Sequence, residues 1–195
     1  PAVILCVGRL SPVKDHPTLL RAVARLRQRR REPFHVTLVG QAATARDQDY
    51  IRSLHDEVRR LGIEELVRFA PGVPMVMLPG WYRRCTVQVN LTPTGFGDKV
   101  AWEAMSCGRP CLVANQGFKE TLGVYADRLL FRHGDAEDLA QRLDSVLSQS
   151  QEEQARMGAY LRQQVVALHS LGRLAGKLVE VFRTLAHEPV LRKQT

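Results

Sequence analysis

Short apolar runs and amphipathic helical stretches alternate along most of the chain, and this alternation restricts the fold more than any other feature. A strand that is apolar at nearly every position has to be covered on both faces. Helices lying between such strands cover both faces only when the strands run parallel. Residues 3–10, 34–39, 66–70, 86–92, 110–114 and 128–131 read as strands. A helix is expected from Pro17, which a first turn tolerates because its missing amide would have no partner there. A second helix carries Ile51, Leu54, Val58 and Leu61 and stops at Gly62. Residues 78–84 form a weaker one. A fourth enters at Asp98, read as its N-cap, and closes at Gly108. From Asp135 a helix carries Leu139, Leu143, Val146 and Leu147, and residues 151–187 are helical with an interruption near Ser170 and Gly172. The expectation is an α/β, doubly wound parallel sheet of about six strands with helices on both faces, followed by C-terminal helices. One domain is expected over residues 1–195, with its core in 1–148 and the final helices in 151–187.

Composition narrows the class. Of 195 residues, 45% are hydrophobic and 25% charged, which excludes disordered and collagen-like chains. No run approaches the roughly 20 apolar residues of a membrane-spanning helix. The chain opens at Pro1 and runs directly into a strand-like segment, as expected of a processed protein or a segment of a longer one, without a secretory signal. With 28 Lys+Arg against 20 Asp+Glu the net charge is +8, which admits an anionic partner. Much of the excess lies in residues 21–31, where Leu19, Leu20, Val23 and Leu26 share one helical face. The arginine face opposite is either solvated or drawn to anionic lipid headgroups, which would make an anionic membrane surface a partner. Aromatic residues do not interleave with these arginines, so no nucleic acid is expected. Cys6, Cys85, Cys107 and Cys111 lack paired metal-ligand spacing, so no metal site is expected, and a cytoplasmic address follows from reduced thiols. His16, His35, His55, His133 and His169 are assigned no role.

Ligands of such sheets bind beyond the C-terminal ends of the strands. The first loop, Val7-Gly8-Arg9-Leu10-Ser11-Pro12-Val13-Lys14, has one glycine where a dinucleotide fold wants three, and no Gly-Lys-Ser/Thr. Arg9 and Lys14 are instead two cations suited to a diphosphate. The loop Thr94-Gly95-Phe96-Gly97-Asp98 enters a helix whose free amides and positive end suit an anion, with Lys99 in the first turn. Glu103, four residues on, either pairs with Lys99 on the helix surface or accepts hydrogen bonds from vicinal hydroxyls.

These segments, with Trp102-Glu103-Ala104-Met105-Ser106-Cys107-Gly108-Arg109-Pro110 and the run from Phe131 to Ala140, resemble the C-terminal half of glycosyltransferase family 4. The resemblance implies one Rossmann-like half of a GT-B enzyme. It further implies a nucleotide-sugar donor site for UDP- or GDP-sugar, with the acceptor held by an N-terminal domain absent from this chain. Retention of anomeric configuration and independence of metal and cofactor are implied with it, the acceptor being a glycan or a lipid-linked one. On this resemblance Arg9, Lys14, Lys99 and Val100 hold the diphosphate, Glu103 the ribose hydroxyls, and Gly72 and Val73 the base. Counting back eight positions from Glu103, where the family usually has a second glutamate, reaches Gly95. Donor-sugar contacts are then expected among Gly95, Phe96, Gly97 and Asp98. A catalytically silent binding module and a nucleotide-sugar epimerase of the same architecture are the rival readings.

Overall fold

The computed structural model describes residues 1–187. Five strands, β1 (Ala2–Val7), β2 (Phe34–Val39), β3 (Val67–Ala70), β4 (Val87–Asn90) and β5 (Cys111–Val113), form one parallel sheet in the order β3-β2-β1-β4-β5. β1 and β2 pair in full register from Ala2↔Phe34 to Val7↔Val39, and β1 also pairs with β4 at Ile4↔Val87. After β1 the chain winds outward to β2 and β3, and then returns to the other side of β1 as β4 and β5. The gap beyond the C-terminal ends of β1 and β4 is therefore a topological switch point, where helices diverge and leave a crevice.

The helices are α1 (His16–Arg29), α2 (Ala45–Leu61), α3 (Leu78–Arg84), α4 (Lys99–Ser106), α5 (Lys119–Leu122), α6 (Ala126–Leu129), α7 (Ala136–Leu147), α8 (Gln151–His169) and α9 (Leu171–His187). Alternate strand positions serve the two faces, as the pleat requires. Ile4, Cys6, Val36, Leu38, Val87 and Val89 pack into the larger core with Leu19 and Val23 of α1, Leu54 of α2 and Leu139 and Leu143 of α7. Leu5, Val7 and Val39 point the other way, into a smaller core with Tyr82 of α3 and Ala104 of α4.

Local chemistry fixes the helix ends. Thr44 and Asp47 form a reciprocal capping box at the start of α2, and Gly62 closes it in the left-handed conformation, φ 63°. Asp135 accepts from the Glu137 and Asp138 amides to start α7. α8 lies close against the end of α4 because Gly158 has no side chain: a Cβ there would sit 2.0 Å from the Gly108 carbonyl oxygen. The expected break between the final helices falls at Ser170, whose backbone is extended.

The sixth strand, expected at residues 128–131, does not form. Ala126 and Leu129 are both buried, at the three-residue spacing of a helix, and the Leu130 amide bonds the Ala126 carbonyl at 2.8 Å. Only Leu130 meets the sheet, as a single parallel bridge to Val113. An apolar run of this length fits a strand or a buried helical turn equally well, and here the helical spacing prevails. The arginine face of α1 stays half-exposed but lies beside α7: Arg25 and Arg29 pair with Glu137, and Arg30, just past the helix and with its side chain buried, pairs with Asp144, both acids on α7. All four cysteines are free.

Candidate functional site

The two inner loops at the switch point are held together by backbone and by charge. Gly8, at φ 146°, leads out of β1, and its carbonyl oxygen would lie 1.9 Å from a Cβ at Gly40. Only glycine fits at Gly40, so the ends of β1 and β2 meet without side chains between them. Beyond a turn at Pro12–Lys14, Asp15 adopts φ 43°, the one positive φ of a non-glycine among the described residues, and starts α1.

Lys14 packs against Gly8 and sends its ammonium to the Asp98 carboxylate at the entry of α4. The same carboxylate oxygen accepts from Asn90 Nδ2 at 2.8 Å and from Thr92 Oγ1 at 2.7 Å. Burial pushes the Asp98 carboxyl up, but the bonds from Lys14, Thr92 and Asn90 outweigh it and hold the group below its usual value. The side chain therefore caps no amide. Asp98 occupies the N-cap position of α4, yet no side-chain oxygen bonds the first turn, and the amides of Lys99 and Val100 are left to other acceptors.

Arg9, Gly72, Val73, Val100 and Glu103 line one cleft of about 620 Å³, together with Gly8 and residues 39–43. Three strand ends thus supply a cation, a pair of backbone groups and a carboxylate to a shared space. Lys14, expected at the diphosphate, is not among the lining residues; its side chain packs beside Gly8, which does line the cleft. Lys99 directs its side chain elsewhere, into a neighbouring cavity of about 720 Å³ walled by α3, α4, α8 and α9. Glu103 lines both cavities. The surface pair of Lys99 with Glu103 is not among the ion pairs of the described residues; the Glu103 carboxylate instead accepts from the Tyr82 hydroxyl at 2.8 Å.

Gly95 and Gly97 lie outside this cleft, and Phe96 is exposed. Their loop is tied down by Asn115, whose amide donates to the Phe96 carbonyl at 2.8 Å. Gly95 has φ 94°, so the position where family 4 usually carries glutamate has a backbone that disfavours any side chain. Sequence reasoning missed Tyr82, Asn90, Thr92 and Gln41. The signal for Asn90 and Thr92 was their place as the last two polar positions of an alternating strand, at the end where ligands bind. Gln41 packs where a Cβ on Gly72 would be, 2.9 Å from its Oε1. Among the described residues no cluster of three His, Cys, Asp or Glu side chains has metal-holding geometry.

Sheet order and cleft define a Rossmann-like, doubly wound domain with its cleft at the switch point, and its solved neighbours include glycosyltransferases. Anabaena HepE, crystallised in complex with UDP, superposes with a TM-score of 0.81 at 25% identity over 93% of this chain and 48% of that one. The C-terminal domain of the group 1 glycosyl transferase LpcC from Francisella tularensis shares the fold, with a TM-score of 0.75 at 18% identity and 87% of each chain covered. The chain belongs to the family of glycosyl transferases group 1, whose model matches residues 1–164. Among its relatives, the D-inositol 3-phosphate glycosyltransferase of Frankia alni is 33% identical over 151 residues, 75% of this chain and 37% of that protein. D-inositol 3-phosphate glycosyltransferase 2 of Catenulispora acidiphila is 39% identical over 119 residues, 60% of this chain and 28% of the relative. The chain therefore spans well under half the length of these curated relatives.

Proposed function

We propose that this chain is the donor-binding, C-terminal domain of a family 4 glycosyltransferase that transfers a sugar from a UDP- or GDP-sugar to a glycan or lipid-linked acceptor, with retention and without a metal. Residues 1–148 form its Rossmann-like core, and the helices of 151–187 complete a single unit. The observation that carries this reading is the convergence of Arg9, Val100, Glu103, Gly72 and Val73 on one cleft at the switch point. HepE, 25% identical, is a neighbour whose crystals hold UDP, and UDP with glucose, which supports a nucleotide sugar as the ligand class.

The roles follow from chemistry. When the glycosidic bond to the diphosphate breaks, negative charge grows on the leaving oxygens. The first-turn amides of α4, and Lys14 held by Asp98, are fixed before that happens and stabilise the charge without reorganising, while Arg9, exposed at the cleft wall, adds a cation that closes on the diphosphate. Glu103 holds the ribose, and the backbone at Gly72 and Val73 meets the base. Gly95, Phe96, Gly97 and Asp98 flank the sugar, with Asp98 acting through the ammonium it holds. The acceptor hydroxyl is aligned by an N-terminal domain, without which orientation and hence rate are lost. An anionic membrane surface is a partner of the lipid-linked reading, and a cytoplasmic location goes with it.

Titration calorimetry with UDP and GDP tests the proposal. Binding of one nucleotide that weakens about tenfold or more in both Arg9→Ala and Glu103→Ala is the expected result. Failure of the chain to bind either nucleotide would leave only a basic α/β scaffold.

A further inference from the structure

Glu103 is a half-buried carboxylate on a helix facing the cleft, and nothing in its own helix holds it in place. Three side-chain torsions separate its oxygens from the backbone. Such a group recognises a diol well only when those torsions are already set, because ordering a long flexible side chain costs free energy. Tyr82 supplies the constraint. Its ring is 1% exposed and packed in the smaller core between the sheet and α4, so its position is fixed by packing. Its hydroxyl donates to Glu103 Oε2 at 2.8 Å, a hydrogen bond of ordinary length. A carboxylate offers about four lone-pair sites, so one bond to Tyr82 leaves the others free for two hydroxyls. Burial, and then the neighbouring Glu103 charge, raise the phenol far above its usual value, so it remains a donor throughout the neutral range.

We propose that Tyr82 is the positioning residue for ribose recognition: its hydroxyl fixes Glu103 in the orientation that accepts from the vicinal hydroxyls, so selection for a ribonucleotide depends on it. This rests on the donor-site reading above. Tyr82 touches no ligand in this scheme and acts only through Glu103.

The test is calorimetric titration of the chain with UDP, GDP and their 2′,3′-dideoxy counterparts. The wild-type chain is expected to prefer the ribonucleotide by about tenfold or more. Tyr82→Phe keeps the ring in its packing site and should reduce that preference to about threefold or less, entirely through weaker ribonucleotide binding. Affinity for the dideoxy compound should not change, which a general loss of structure would not spare. Glu103→Ala should abolish the preference, and adding Tyr82→Phe to it should do nothing more. If the phenylalanine variant does not fold, Tyr82→Met, flexible enough to occupy most of the site and without a donor, takes its place.

A preference intact in Tyr82→Phe but lost in Glu103→Ala would overturn the positioning role and leave the donor site standing. A preference surviving Glu103→Ala would overturn the ribose assignment and the positioning role together. No binding of any of the four nucleotides would remove the donor reading, and this inference with it.

Discussion

The ammonium of Lys14 is paired with the carboxylate of Asp98, 84 residues further along the chain, and the pair closes the loop after β1 onto the entry of α4. The Asp98 side chain is only 8% exposed and that of Lys14 21%, so the carboxylate depends on its partners for the solvation it has lost. Lys14→Met is expected to destabilise the fold by about 2 kcal/mol, and Lys14→Met with Asp98→Asn by clearly less than the sum of the single changes. Urea unfolding of the four proteins measures this. Strict additivity would show that the two groups do not hold each other.

His16 gives the fold a pH dependence. It is 1% exposed at the start of α1, with Nδ1 and the backbone amide each 3.2 Å from the Tyr50 hydroxyl. Burial, then the Lys14 charge, push its imidazole down to about 4. The unfolded chain takes up this proton near pH 6.5 and the folded chain only near 4. Stability is therefore complete above 6.5 and falls as the pH drops to 4, by about 3 kcal/mol. Asp98, whose carboxyl is held low, adds a loss in the same direction but only below its ordinary value of 3.8. Replacing His16 by Gln should flatten most of the slope between pH 6.5 and 4 in urea titrations. An unchanged slope would place the titration elsewhere.

Gly158→Ala tests the packing of α8. The new methyl would meet the Gly108 carbonyl oxygen at 2.0 Å, and because that atom is backbone it cannot swing away. α8 must shift outward, at a cost of about 3 kcal/mol or more. Trp102, whose ring lies 4.5 Å from that of His169 at the end of α8, should report the shift in its fluorescence. A variant that melts like the parent, with the same emission, would contradict this contact.

Anionic vesicles test the membrane surface. With Arg25, Arg29 and Arg30 committed to α7, the arginines outside ion pairs in this helix region are Arg21 and Arg31 among the described residues. Co-sedimentation is expected at low ionic strength, weakening with added salt and in Arg21→Glu/Arg31→Glu. Retention at high salt would point to apolar insertion instead.

The sheet was legible because β1 and β5 are apolar throughout, β4 alternates, and the helices end in caps that sequence displays, such as Gly62 and Asp135. The failure at residues 128–131 came from four residues, too short a window for period alone to separate helix from strand. The meeting of Arg9, Glu103 and Gly72 in one cleft followed from strand order, which alternation of elements anticipates. What Asp98 and Glu103 hold was not legible. Both sit at positions where a local rule offers a partner, a helix amide for one and Lys99 for the other. Each instead takes partners brought by the fold from other elements: Lys14 and Thr92, and Tyr82.

Because the Gly8 carbonyl and the Gly40 α-carbon leave no room for a single methyl group between them, the floor of the cleft is backbone pressed on backbone. Its depth cannot be retuned by exchanging side chains there. Any redesign for a different ligand has to work on the walls, through Arg9, Gln41 and the segment after β3, while the floor stays as the fixed datum from which those walls are measured.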